Sequence, residues 1–366
     1  MRPTQAVINL PALLRNARKL RSLVGDETFF CPMVKANAYG HGAVQVAEAL
    51  ASDGVEFVGV SLVEEGIELR NAGLKMKILV FGAFNDLDSA RSIGEFSLTP
   101  VISSRAQLSA LEQTCANTKL NFHLKFDTGM NRLGFEVDQA TNLRSHLAKF
   151  ANWNIEGVCT HLLKGDDANL PGGFSAKQLA AFNLVLKAFE GLEFYSHALN
   201  SSGLVSLSKN LVQLGARPGI ALYGGQDGFE SVMTLKSQIV ATREVSVGEV
   251  VSYNANWTAN RNSIIGIVPV GYADGVARKL TNQFSVLVRE QRVPVVGTVC
   301  MDYVMLDLTD LKDQLKSLGE GEEVVFFGQQ GRAEIRGLEW ALILDTISYE
   351  IFTRISSRVP RNYVST

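Results

Sequence analysis

The first 230 residues of this sequence alternate between two hydrophobic periods, and that alternation restricts the fold more than any other feature. Short β-branched or aromatic runs, Phe29–Val34, Phe57–Val60, Ile78–Val80, Leu98–Ile102, Asn121–Phe126, Ile155–Cys159, Phe194–Leu199 and Leu211–Leu214, have the length and composition of buried strands. Between them lie segments such as Ala43–Ala51, Val63–Asn71, Ser103–Glu112 and Ala176–Leu186, whose apolar residues recur three and four apart, as on a helix facing a core. Eight strand–helix units fit a closed (β/α)8 TIM barrel better than an open sheet.

Near residue 230 the texture changes. Leu235–Val245, Glu249–Tyr253, Ile264–Val270, Ser285–Arg289, Arg292–Val299 and Glu323–Phe327 read as strands separated by Gly, Asn or Asp turns, with one late helix, Glu339–Phe352, carrying Tyr349 near its end. The chain therefore reads as α/β: a barrel domain over 1–232 followed by a mainly β C-terminal domain over 233–366. No low-complexity linker separates them, so close packing is expected.

Charge and cysteine usage exclude several classes. With 35 basic against 37 acidic side chains there is no basic field to hold a nucleic-acid backbone. Cys31, Cys115, Cys159 and Cys300 are far apart and form no CxxC or Cys/His cluster, so they read as reduced thiols and no metal site is expected. The N-terminus lacks the pattern of a signal peptide, and no uncharged apolar run approaches the length of a bilayer span. A cytoplasmic protein without membrane contact is the expectation.

Barrel enzymes build their sites where strands end, and polar residues fall at those ends here. The first strand runs into Val34-Lys35-Ala36-Asn37-Ala38-Tyr39-Gly40-His41-Gly42. A lysine aimed by an apolar strand into a low-dielectric mouth has a depressed pKa, which frees its amine for Schiff-base chemistry. An isolated lysine in a loop is far more often a surface residue, but the adjoining Tyr-Gly-His-Gly run argues otherwise. The fifth strand leads into the segment from His123 to Gly134, where Arg132, in a glycine-flanked loop, is a rigid donor suited to an anionic oxygen. Ser201, with the amides of Gly219 and Ile220, has the character of a phosphate cradle, and equally of a helix cap and a turn.

Together these motifs strongly resemble the alanine racemase family over nearly the whole chain, in matching order: VKANAYGHG, the His123–Gly134 segment, Ala216-Arg217-Pro218-Gly219-Ile220, Val251-Ser252-Tyr253, Gly271-Tyr272-Ala273-Asp274-Gly275 and Cys300-Met301-Asp302. The resemblance implies pyridoxal 5'-phosphate bound to Lys35, with Tyr39, Arg132, His161, Asn200, Ser201, Arg217, Gly219, Ile220 and Tyr349 around the cofactor. Arg132 would face its phenolic oxygen, Arg217 its pyridine nitrogen and Tyr349 its phosphate. It implies Tyr253 as the acid/base opposite Lys35, Arg132 and Met301 as substrate contacts, and Asp166, Tyr272 and Arg278 at the substrate entrance. Lys125 matches a lysine that is often carbamylated in the family; an ordinary ion-pair lysine is the plainer reading. The implied activity is interconversion of L- and D-alanine, supplying D-alanine for peptidoglycan, in a homodimer with shared active sites. Three features depart from the family: Asn37 where aspartate is commoner, Thr298 where arginine is usual, and the Leu162–Asp166 loop. The last two leave open a racemase of broader specificity, for serine or basic amino acids. A non-catalytic pyridoxal phosphate carrier would not need Tyr253 on an added β domain, and a decarboxylase of the same plan would be expected to lack the Tyr253, Tyr272 and Arg217 set.

Overall fold

The computed structural model describes residues 2–207, 214–311 and 319–364. Its contacts define two compact units: one of Leu14–Ala38 and Ala43–Leu222, the other of Met1–Leu13, Tyr39–Gly42 and Tyr223–Thr366.

In the first unit seven parallel strands follow one another in chain order: Phe57–Val60, Lys77–Val80, Thr99–Ile102, Leu120–Lys125, Trp153–Cys159, Tyr195–Leu199 and Gly215–Ala216. Phe57–Val60 and Thr99–Ile102 are buried along their whole length, as strands covered on both faces must be, which is why they read as unbroken apolar runs. Residues 29–34 close the ring through single bridges, Phe30 to Ala216 on one side and Met33 to Gly59 on the other. The predicted strand at Leu211–Leu214 falls, except for Leu214, outside the described residues; the short strand Gly215–Ala216 takes the eighth position. Phe29, Cys31, Phe57, Leu79, Val101 and Cys159 fill the interior, so the barrel is a packed core and its chemistry is confined to one mouth.

The second unit is built on a mostly antiparallel sheet whose strands alternate buried and partly exposed residues, as in Met233–Gln238. The predicted strand Leu235–Val245 is two strands, Met233–Gln238 and Ala241–Val245, because the chain changes partners between them. The first pairs with Glu323–Gln330 and the second with Ser263–Val268. The predicted helix Glu339–Phe352 is likewise two, Gly337–Leu344 and Ser348–Arg354, broken where Asp345 is left-handed at φ 55°. Tyr349 thus starts a helix instead of ending one. The N-terminal strand Gln5–Asn9 belongs to this sheet, between Met233–Gln238 and Arg361–Val364, whereas the sequence pattern assigned it to the barrel domain of 1–232. Its pairing partners lie more than 200 residues away, so no local pattern could announce them.

Candidate active site

Val34 N–H donates to the Gly59 carbonyl at 2.8 Å, so the chain is still bound into the barrel one residue before Lys35. It then makes a left-handed turn, with φ of 52°, 53°, 52° and 53° at Ala36, Asn37, Ala38 and Tyr39. Such a conformation costs an L residue about 1–2 kcal/mol, so four in succession cost about 4–8 kcal/mol that surrounding bonds must offset. Ala38 N–H donates to the Val34 carbonyl at 2.8 Å, Ala36 N–H to Glu65 Oε1 at 2.5 Å, and Ala43 N–H to Asn37 Oδ1 at 2.8 Å. Asn37 suits its place because asparagine tolerates the left-handed region, and its carboxamide meets the start of the helix Ala43–Ser52. Glu65 also accepts from the amides of Ser61 and Leu62, which ties the lysine turn to the next strand end.

Around Lys35 the first unit gathers positive charge. Burial lowers the Lys35 pKa, the Arg132 guanidinium lowers it further, and Glu65 acts in the opposite sense. Lys125 ends the strand Leu120–Lys125, is buried, and has its pKa lowered chiefly by that burial. Among the described residues no carboxylate pairs with it within 4 Å, although Cys159 and Asp127 act to raise its pKa. The loop that carries exposed Arg132 is fixed by Asp127, whose carboxylate accepts from the amides of Gly129 at 2.8 Å, Met130 at 2.9 Å and Arg132 at 2.9 Å.

Arg217 follows the eighth strand and is only 5% exposed. It donates to His197 Nδ1 at 2.5 Å, to the Thr160 carbonyl at 2.7 Å and to His161 Nδ1 at 3.0 Å. An arginine can only donate, so both imidazoles accept at Nδ1 and are neutral. Burial, then the Arg217 charge, drives the pKa of each well below the usual histidine value. His161 feels Arg217, Lys125, Arg132 and Lys35 together. The mouth is therefore a neutral imidazole among four basic groups, an environment that favours an anionic ligand.

Other expected cofactor contacts are partly engaged within the protein. Ser201 Oγ accepts from Gly219 N–H at 3.0 Å and Ala221 N–H at 3.3 Å, so cap and cradle share one hydroxyl and the Gly219 amide already has a partner. Ile220 is buried beside them. Asn200 donates to the Leu162 carbonyl at 3.2 Å and accepts from Gly203 N–H at 2.8 Å, which locks the departing Leu162–Asp166 loop onto the helix Ser201–Leu207. In that loop Asp166 is exposed, whereas Asp167 is buried and caps the next helix through Phe174 and Ser175.

The second unit carries the remaining residues. Tyr39 is buried against Tyr223, with ring centroids 5.0 Å apart, and against Tyr349 at 5.6 Å; burial raises the Tyr349 pKa. Gly40 has φ 83°, and a Cβ there would lie 2.4 Å from the Phe352 carbonyl oxygen, so only glycine fits the Tyr-Gly-His-Gly run at this point. Tyr253 stands 68% exposed on a short 3-10 turn, Tyr253–Ala255, not on the predicted strand. Tyr272, Met301 and Arg278 are exposed as well, and the amides of Tyr272 and Ala273 bond to the carbonyls of Cys300 and Met301 at 3.0 and 3.1 Å, which joins the two motifs. Thr298, where the family resemblance leads one to expect arginine, is buried at 1% exposure. Asp127, Glu65, His123 and His197 are positions to which the sequence pattern assigned no role; only the Asp-Thr-Gly run after a strand signalled the amide-binding turn of Asp127.

Family profiles described as alanine racemase, N-terminal domain and alanine racemase, C-terminal domain match residues 8–227 and 232–363. The chain belongs to the alanine racemase family. It is 36% identical to the alanine racemase of Carboxydothermus hydrogenoformans over all of both chains, and 37% identical to that of Sorangium cellulosum over 99% of both. The crystal structure of alanine racemase from E. faecalis superposes with a TM-score of 0.90 at 31% identity, covering 99% of this chain and 98% of that one. Because both domain profiles match, the family's two-domain plan is complete here, and a barrel-only carrier is not favoured. Among the described residues no three His, Cys, Asp or Glu side chains are placed to hold a metal ion, and no helix is long and apolar enough to cross a membrane.

Proposed function

We propose that this chain interconverts L- and D-alanine by two-base proton transfer at Cα, using pyridoxal 5'-phosphate held on Lys35. The observation that carries the reading is the barrel mouth itself, where Lys35 follows a strand end bonded to Gly59 and His161 lies within the field of Arg217, Lys125, Arg132 and Lys35. The residues present fit the cofactor: an amine inclined to lose its proton, basic groups for anionic oxygens, and Ser201 between the strand ends. Bound there, pyridoxal phosphate would supply electron withdrawal that acidifies the substrate Cα–H bond.

The chain's own groups then divide the work. Lys35 exchanges a proton on one face of Cα, and Tyr253 of the partner subunit on the other. Arg217, a permanent cation and donor, would face the cofactor's pyridine nitrogen and disfavour protonation there, which would limit side reactions. Arg132 and the Met301 amide take the substrate carboxylate; Asp166, Tyr272 and Arg278 line the approach. Burial lowers the Lys125 pKa, the direction that favours the uncharged amine a carbamate requires. Tyr253 exposed on its turn fits supply across a homodimer interface, and a cytoplasmic role in making D-alanine for peptidoglycan completes the proposal.

Three experiments test it. Incubating the holoenzyme with L-alanine should yield D-alanine on chiral separation, and borohydride reduction with peptide mapping should place the pyridoxyl group on Lys35; a label elsewhere refutes the assignment. Mixing Lys35→Ala and Tyr253→Phe proteins under subunit exchange should restore activity, because one of two shared sites then lacks both lesions. No recovery despite proven exchange refutes the shared site.

A further inference from the structure

Tyr253 has to be presented by backbone that would not adopt its shape unaided. Ser252, Asn254 and Ala255 all have positive φ, at 71°, 62° and 49°, and none is glycine. The turn is exposed, so packing cannot hold it. Something else must fix it.

Val251 N–H closes the loop on the Trp257 carbonyl at 3.1 Å, and within it the turn is fixed by side-chain bonds centred on Thr298. Its Oγ1 donates to the Tyr253 carbonyl at 2.7 Å and accepts from Asn256 Nδ2 at 2.8 Å, so one hydroxyl closes both ends of the turn. Ser252 Oγ donates to the Thr298 carbonyl at 2.7 Å. Behind it, Asn282 Nδ2 donates to the Asn256 carbonyl at 2.9 Å and Asn282 Oδ1 accepts from Gly297 N–H at 2.6 Å. Thr298 is itself buried, so its bonds are shielded from water, whereas the tyrosine it holds is open.

We propose that Thr298 is the positioning residue for Tyr253, its buried hydroxyl setting the direction in which the turn presents the phenol. The role rests on Tyr253 acting as the second base. It predicts that the hydroxyl, not the size, of residue 298 matters, and that its loss is felt on one face of Cα only.

The test uses purified holoenzyme bearing Thr298→Val, Thr298→Ser, Tyr253→Phe and the Thr298→Val/Tyr253→Phe pair, each checked by thermal melting. Thr298→Val should lower kcat roughly tenfold, as a small displacement of a reacting group does, with KM changed by less than about twofold. Thr298→Ser, which keeps the donor, should recover most of the loss. With Cα-deuterated alanine, the primary isotope effect of Thr298→Val should rise for the enantiomer that Tyr253 deprotonates and fall for the one that Lys35 deprotonates, because the tyrosine step then limits both directions. On the Tyr253→Phe background the valine should add little. If Thr298→Val melts below the assay temperature, Thr298→Ala carries the same comparison. Wild-type kcat and isotope effects in the valine variant would overturn the proposal, as would a loss undiminished in the Tyr253→Phe background. A fully active Tyr253→Phe would sink the base assignment as well, a separate and recognisable failure.

Discussion

Replacing His197 by leucine tests whether the barrel interior is organised by one directional chain of hydrogen bonds. Because Arg217 Nη1 can only donate, His197 must accept at Nδ1 and carry its proton on Nε2, which donates to His123 Nδ1 at 2.7 Å. His123 is then left with Nε2–H, facing Glu156 Oε2 at 3.7 Å. Both imidazoles are fully buried. His197→Leu leaves a donor of Arg217 and the acceptor of His123 without partners, each a cost of about 1–3 kcal/mol, so the apoprotein should lose about 2–6 kcal/mol in urea denaturation. Adding His123→Leu removes the stranded acceptor, and the double variant should be more stable than the sum of the single losses by about 1 kcal/mol or more. Nitrogen-15 NMR of the wild type should show both histidines as neutral Nε2–H tautomers. Strict additivity, or a proton on His197 Nδ1, would refute the directional chain.

Further outcomes follow from the same geometry. Lys35 has a folded-state pKa below its unfolded value, so the unfolded chain binds more protons between the two, and stability rises with pH across that window. Apoprotein carrying Lys35→Met should therefore be more stable than wild type near neutrality, and the gap should narrow as pH rises toward about 10.4 in chemical denaturation series. Arg217→Glu should slow racemisation on the order of 100-fold and increase by-products such as pyruvate, read by chiral and keto-acid assays of the same reaction. Gly40→Ala, which places a methyl 2.4 Å from the Phe352 carbonyl at φ 83°, should cost about 2–4 kcal/mol of stability in urea denaturation.

The parts of this molecule that were legible in its sequence are those in which a side-chain period reports burial. The fully covered strands Phe57–Val60 and Thr99–Ile102 and the helix Val63–Asn71 show through their apolar pattern because burial on two faces, or on one stripe, dictates residue type at every position. Strand ends then located Lys35, Lys125, His161 and Arg217, since a barrel converts the end of a strand into a place in space. Long-range pairing was not legible: Gln5–Asn9 alternates like any strand, and nothing in five residues names Arg361–Val364 as its neighbour.

Backbone sign was the other hidden quantity, and it matters most at the two proposed bases. Ala36, Asn37, Ala38 and Tyr39 behind Lys35, like Ser252, Asn254 and Ala255 around Tyr253, are left-handed without being glycines. Alanine and serine carry no signal for that conformation, so these segments read as the start of a helix or the end of a strand. Each holds its shape through bonds from elsewhere in its own unit, Glu65 for the lysine turn and Thr298 for the tyrosine turn. Strain of this kind persists only where the surroundings over-determine it. An acid/base exchanging a proton at one carbon gains from being fixed to within a fraction of an ångström. A relaxed helix or strand would have given each residue a cheaper backbone and a less determined direction, so the two costliest turns are also where the proposed chemistry needs the least freedom.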